Sequence, residues 1–202
     1  MTTEAEAAPA PTSRTIWARR ITDGLEPKNV ILALLPLLGG LRYGWPGIGW
    51  ALFAVLFAAV VPTLIIRYGM RKGTVTDRHV GRRQRRLTVF PLIMASVLLG
   101  FAVMIALDAP TDLTALVLAM FASLVPILVI TAWWKVSVHT AVATGAVVCL
   151  AVALGPLWLL LGPLVPVIGW SRVVLRDHTT AQTVVGAVVG AVTAGLTFWL
   201  AR

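Results

Sequence analysis

A chain of 202 residues in which 58% are hydrophobic and only 12% charged lies outside the range of water-soluble domains, about a quarter of whose residues are charged. With a mean hydropathy of +0.89 it reads as an integral membrane protein, and its formal charge of +9 speaks first of membrane topology rather than of nucleic acid, which is not expected as a partner. The single Cys149 excludes an internal disulfide and, set in an apolar run, reads as a packed core thiol.

Residues 1–11 are rich in Ala, Thr, Glu and Pro, have no apolar stretch of the signal-peptide kind, and are expected to form an irregular tail. Ser13 to Leu25 set Ile16, Trp17 and Ile21 beside Arg14, Arg19 and Arg20. That pattern fits a short amphipathic helix on an anionic leaflet, and equally an irregular basic leader. Residues 1–27 are therefore separated as a leader from 28–202, a single membrane domain, because the apolar runs follow one another with no linker long enough to divide two folds. No internal repeat is visible.

Asn29 to Gly40 is an apolar run that reaches about 16 residues when Leu41 to Gly44 are included. At ~1.5 Å per residue this is about 24 Å against a hydrocarbon core of ~30 Å, so the segment either spans with little tilt or re-enters. A turn at Gly44-Trp45-Pro46-Gly47 leads to a second span, Ile48 to Ile66, and then to a polar loop, Arg67 to Leu87, holding eight of the 17 Lys and Arg residues. Thr88 to Leu107 and Leu113 to Trp133 are further spans joined by the acidic turn Asp108 to Asp112. Ser137 to Leu154 is a fifth, Leu157 to Trp170 a short sixth containing Pro163 and Pro166, and Thr179 to Leu200 the last, with Gly186, Gly190 and Gly195 spaced for close helix contact. The expected fold is all-α, a polytopic membrane helical bundle with six to seven transmembrane helices.

Parity then tests this scheme. If each segment crosses once, the leader, the Arg67 to Leu87 loop, the Trp133 to Ser137 link and the Ser171 to His178 loop share one face, which carries 15 of the 17 cations, all but Arg42 and Arg202. The positive-inside rule makes that face cytoplasmic in a multi-pass protein of the cell membrane. The bias remains in Arg14, Arg19, Arg20, Lys28, Arg67, Arg71 and Lys72 when candidate site residues are set aside.

Two polar stretches interrupt the apolar pattern on this face: Lys135-Val136-Ser137-Val138-His139-Thr140, and Ser171 to Gln182. Each supplies an imidazole, a hydroxyl and a fixed cation at membrane depth, where ionisable side chains are functional candidates by default. Such a set suits phosphoryl transfer without a metal or cofactor. Guanidinium and ammonium groups neutralise the phosphoryl oxygens, a neutral imidazole attacks phosphorus, and a protonated one gives the leaving oxygen its proton.

Ser171-Arg172, five residues, His178, three residues, Gln182 resembles the third signature of the type 2 phosphatidic acid phosphatase superfamily, S-R-x5-H-x3-D, in full spacing with Gln at the last place. Val136-Ser137-Val138-His139 resembles the second, P-S-G-H, keeping Ser and His. The first, K-x6-R-P, finds its counterpart in Asp77 to Arg86, where Arg78 with Arg85 and His79 with Arg86 both keep the spacing. The loop also resembles an Asp-x-His followed by an Arg-rich run in shorter bacterial members, which favours Arg83 and Arg86 as phosphate ligands, with Asp77, Arg78, His79 and Arg82 as further candidates. The resemblance covers about residues 50 to 200.

The resemblance implies His178 as a nucleophile forming a phosphohistidine, His139 as general acid, Ser137 and Arg172 on the phosphate, Lys135 as an additional cation, and Gln182 where the family has its orienting Asp. Its implied activity is hydrolysis of a lipid phosphate, an isoprenyl (di)phosphate or a glycerolipid phosphate whose tail stays among the membrane lipids. Gln182 cannot stabilise an imidazolium by charge, and in a serine protease the comparable Asp to Asn change costs ~10⁴ in turnover. Asp177, adjacent to His178, would point about 100° away on a helix. Val138 in place of Gly also crowds the backbone N–H that would face an oxyanion. These departures support a second reading, a weakened relative that binds a lipid phosphate or assembles a membrane pathway. A Mg²⁺-dependent prenyl enzyme lacks its clustered carboxylates, only Asp77 and Asp177 being near.

Overall fold

The structure is a computed structural model that describes residues 12–71 and 83–202, with the side chains of residues 70–71 and 83–90 excepted. Among the described residues every regular element is helical. Four helices are long and apolar enough to cross a membrane, Pro27–Gly69, Thr111–Trp133, Pro156–Val174 and Thr180–Ala201, and two shorter apolar helices, Pro91–Ala106 and Val138–Leu154, accompany them. The bundle thus has four to six segments of membrane-spanning character. Its surface exposes many large apolar residues, among them Leu41, Leu52, Leu64, Leu99, Leu157 and Leu196, an exterior that suits lipid rather than water.

Ser13–Gly24 (α1), for which the sequence leaves helix and irregular leader both open, is helical. Thr12 caps it by accepting from Thr15 N. Its buried positions are Ala18 and Thr22, four residues and one turn apart, and they face α7 (Leu164–Val174). Trp17, Arg19 and Arg20 remain exposed, with the Arg20 guanidinium 5.3 Å from the Trp17 ring centroid.

Pro27–Val55 (α2) is broken where the turn is expected. Gly44 has φ 63 and ψ −144, a backbone region essentially restricted to glycine, and the chain folds back there. Eight residues of unbroken helix would separate Gly39 from Gly47 by ~12 Å, yet a Cβ on Gly39 would meet Gly47 O at 2.4 Å. The second arm continues through a π-helical stretch, Leu56–Val60, into Val61–Arg71 (α3). Ser96 Oγ donates to Phe57 O at 2.8 Å in this stretch, satisfying a carbonyl where the wider turn departs from α-helical pairing.

Arg83–Ala106 (α4) begins five residues before the predicted Thr88. Thr111–Trp133 (α5) and Val138–Leu154 (α6) match their predicted spans within two residues. The predicted sixth span divides into a 3-10 turn, Pro156–Leu161, and α7. Pro163 is the residue that caps α7 and Pro166 lies in its first turn, where a missing N–H leaves no helical bond unmade. Thr180–Ala201 (α8) closes the chain.

Helix α8 packs along α6 and α5. The glycines permit this closeness: a Cβ on Gly190 would lie 2.0 Å from Ala141 O, and one on Gly186 would lie 2.4 Å from Ser137 O. Between these helices and α2 lies a core including Leu35, Leu38, Leu113, Leu116, Leu150 and Phe198. Cys149 is buried in it as predicted, with its Sγ 3.8 Å from Ala194 O.

Candidate functional site

The links α5–α6 and α7–α8 meet at one end of the bundle. Ser137 N donates to Gln182 O at 3.2 Å, and Thr140 Oγ1 donates to Thr183 O at 2.8 Å. The Lys135 ammonium donates to the Asp177 carbonyl. The two polar stretches that stand 31 residues apart between Thr140 and Ser171 in sequence are therefore one assembly. Ser137 is fully buried and serves as N-cap of α6, its Oγ accepting from Thr140 N at 3.4 Å. His139 is buried in the first turn of α6.

Helix α7 ends by delivering Ser171 and Arg172. Ser171 Oγ donates to Ile168 O at 2.8 Å, so its single hydroxyl proton is committed and the 2.9 Å contact with Thr22 Oγ1 is a bond that Thr22 donates. Helix α1, outside the stretch covered by the family resemblance, thus holds the residue next to Arg172. The Arg172 side chain is almost wholly buried. Its Nη2 lies 3.0 Å from Asp177 Oδ2, while its Nε is buried with no hydrogen-bond partner. Asp177 is not helical, contrary to the geometry expected for it. The loop curls so that Asp177 N and His178 N both donate to Arg172 O, at 3.0 and 3.3 Å, and this turns the carboxylate back onto the guanidinium.

No protein family, curated protein or solved structure matches this chain.

His178 follows in the same loop, half-buried, and its orientation is set by α8. Thr179 and Gln182 form a capping box: Gln182 N donates to Thr179 Oγ1 at 3.3 Å and Thr179 N donates to Gln182 Oε1 at 3.1 Å. An amide N–H can only donate, so the Gln182 atom facing it is the oxygen. The same Oε1 lies 3.3 Å from His178 Nδ1. Nδ1 must then carry the proton and Nε2 the lone pair. Burial, reinforced by the Lys135 and Arg172 cations, pushes the ring's pKa down to about 4, which keeps it neutral at physiological pH.

Beside His178 lies a cavity of about 480 Å³ lined by Val173, Arg176, Asp177, His178, Thr179, Thr180 and Gln182. Lys135, Ser137, His139 and Arg172 stand outside its lining. Of the candidates from the first signature, Asp77, Arg78, His79 and Arg82 lie outside the described residues, and Arg83 and Arg86 are in the first turn of α4, their side chains likewise outside. Among the described residues no three His, Cys, Asp or Glu side chains are grouped as metal ligands would be. The sequence reading missed Thr22 altogether and discounted Asp177. The capping box is legible as Thr-x-x-Gln before an apolar run, whereas nothing in the sequence pairs residue 22 with residue 171.

Proposed function

We propose that this protein is a metal-independent lipid phosphate phosphatase of the cell membrane, resembling the type 2 phosphatidic acid phosphatases, with six to seven spans and its site on the cytoplasmic side. The observation that carries the proposal is the fixed, neutral His178 tautomer, with protonated Nδ1 on Gln182 Oε1 and a free lone pair on Nε2, within electrostatic reach of Lys135 and Arg172. An imidazole in that state is a competent nucleophile toward phosphorus, and guanidinium and ammonium groups near it would offset charge on the phosphoryl oxygens.

In the proposed reaction Nε2 bonds to phosphorus as the bond to the leaving oxygen breaks, and His139 supplies the proton to that oxygen. Water then attacks the phosphohistidine, gives its proton back to His139, and frees inorganic phosphate. The substrate is an amphiphile whose tail remains in the bilayer, an isoprenyl (di)phosphate or a glycerolipid phosphate. Gln182 supports the second reading, a binding or assembly protein, because it orients the ring without offering the charge that a developing imidazolium favours.

The test is phosphate release by the purified protein in detergent with EDTA, from a panel of isoprenyl and glycerolipid phosphates, for the unaltered chain and His178→Ala. Release that survives EDTA and is lost in the variant supports the enzyme and ranks its substrates. Retained lipid binding with no release above the variant rejects it in favour of the binding protein.

A further inference from the structure

Asp177 has no part in the reaction above and, as placed, works against it. Its carboxylate occupies the guanidinium face of a buried arginine, Arg172, at 3.0 Å. Lys135 donates to its carbonyl, so the two cations beside His178 are both engaged by this one residue. The guanidinium has five N–H donors in a planar fork that accepts carboxylate and phosphate in the same geometry, and Nε still lacks a partner. The place is therefore shaped for an anion and only partly filled.

Two features make the occupant displaceable. The Asp177 side chain is 43% exposed whereas that of Arg172 is 5% exposed, so the carboxylate has water to swing into and the cation does not. The loop reaches Asp177 through Arg176, a non-glycine residue at φ 57, a left-handed conformation that side chains with a Cβ adopt only at a cost. Arg172 would not be left without countercharge, because Asp23 and Glu26 at the α1–α2 junction also act on it electrostatically.

We propose that Asp177 is an internal competitor that occupies the phosphate place on Arg172 at rest and is expelled when a phosphate binds. This rests on the reading of the site as a phosphate site. A tethered carboxylate acts at an effective concentration in the millimolar range or above, and it lowers the apparent affinity of any anion by the fraction of time it is bound. Singly charged carboxylates gain nothing by replacing it, like for like. Its return after hydrolysis drives inorganic phosphate off the cations, so the residue weakens ligand binding and hastens product release together.

The experiment measures inorganic phosphate binding to the full-length protein in detergent, by calorimetry, for the unaltered chain, Asp177→Asn and Asp177→Glu. The Asn variant should bind phosphate about tenfold more tightly, the Glu variant within about twofold of the unaltered chain, and adding Arg172→Gln to Asp177→Asn should abolish the gain. Asp177→Ser, which removes the charge with a smaller side chain, should behave as Asn does. Unchanged or weaker binding in both uncharged variants overturns the proposal. So does failure of both to fold, since a carboxylate that the fold cannot lose is not displaceable. Tighter phosphate binding without turnover from any lipid would leave the competitor standing and remove the enzyme. Turnover dependent on His178 with no tightening would do the reverse.

Discussion

At His178 the local field decides the chemistry. An ordinary histidine titrates near ~6.5, whereas this ring is held down to about 4 by burial and by Lys135 and Arg172. Between those values the unfolded chain binds the extra proton and the folded one does not, so the ring's contribution to stability is present above pH ~6.5 and is lost as pH falls through that window toward 4. For the proposed reaction, the acidic limb of kcat/KM due to the nucleophile should lie near pH 4. Lys135→Met removes one of the depressing cations and should move that limb and the imidazole NMR titration midpoint upward together. An unmoved midpoint would show that Lys135 does not act on the ring. Gln182→Asp places a carboxylate one turn from His178, and should raise the ring's pKa and increase turnover. Gln182→Ala should instead release the tautomer and cost about 0.5–1.5 kcal/mol through loss of one capping hydrogen bond, read by thermal unfolding.

At the scale of elements, the site is held by the contact between α6 and α8. Gly186 lies against Ser137 O and Thr140 Oγ1, so the helix that carries Gln182 and the cap that carries His139 are spaced by a missing methyl group. Gly186→Ala should force the two apart, destabilising by ~1–3 kcal/mol and reducing phosphate binding as well. Gly49→Ala is the control, because a Cβ there meets nothing within 4 Å, and it should leave the melting temperature unchanged or slightly raised. The spans α5, α6 and α8 were legible because their apolar runs begin just after N-terminal boundary residues, Pro110, Ser137 and Thr179. The fold-back at Gly44 was legible because a Gly-Trp-Pro-Gly run interrupts the hydropathy. The π-helical turn at Leu56–Val60 was not, since it depends on Ser96 arriving from another helix to bond Phe57 O. The docking of α1 and the curl of Asp177 onto Arg172 were hidden for the same reason: hydropathy and spacing describe neighbours along the chain, and both contacts are made across it.

Across the whole molecule, a second polar cluster balances the first at the other end of the helices. Asp112, buried at the start of α5, accepts from Arg42 Nε at 2.8 Å and Tyr43 Oη at 3.0 Å and forms an ion pair with Arg202 Nε at 3.7 Å. It ties α2, α5 and the end of α8 together. The two cations that the sequence scheme sets apart from the other 15, Arg42 and Arg202, are thus the partners of one carboxylate. Asp112→Asn leaves both without it and should cost roughly 1–3 kcal/mol, between the values for exposed and buried pairs, with phosphate binding at the far end retained in the folded fraction. Equal loss at both ends would show that the bundle does not insulate them.

The Thr22–Ser171 bond joins residues 149 positions apart. During synthesis α1 is made well before its docking surface on α7 exists. Until then the hydroxyl of Thr22 and the small face of Ala18 lack the α7 surface that buries them. The joint beside Arg172 is consequently closed late, and a nascent chain that stalls before α7 emerges carries Thr22 without Ser171, and Ser137 and His139 without Arg172 and His178.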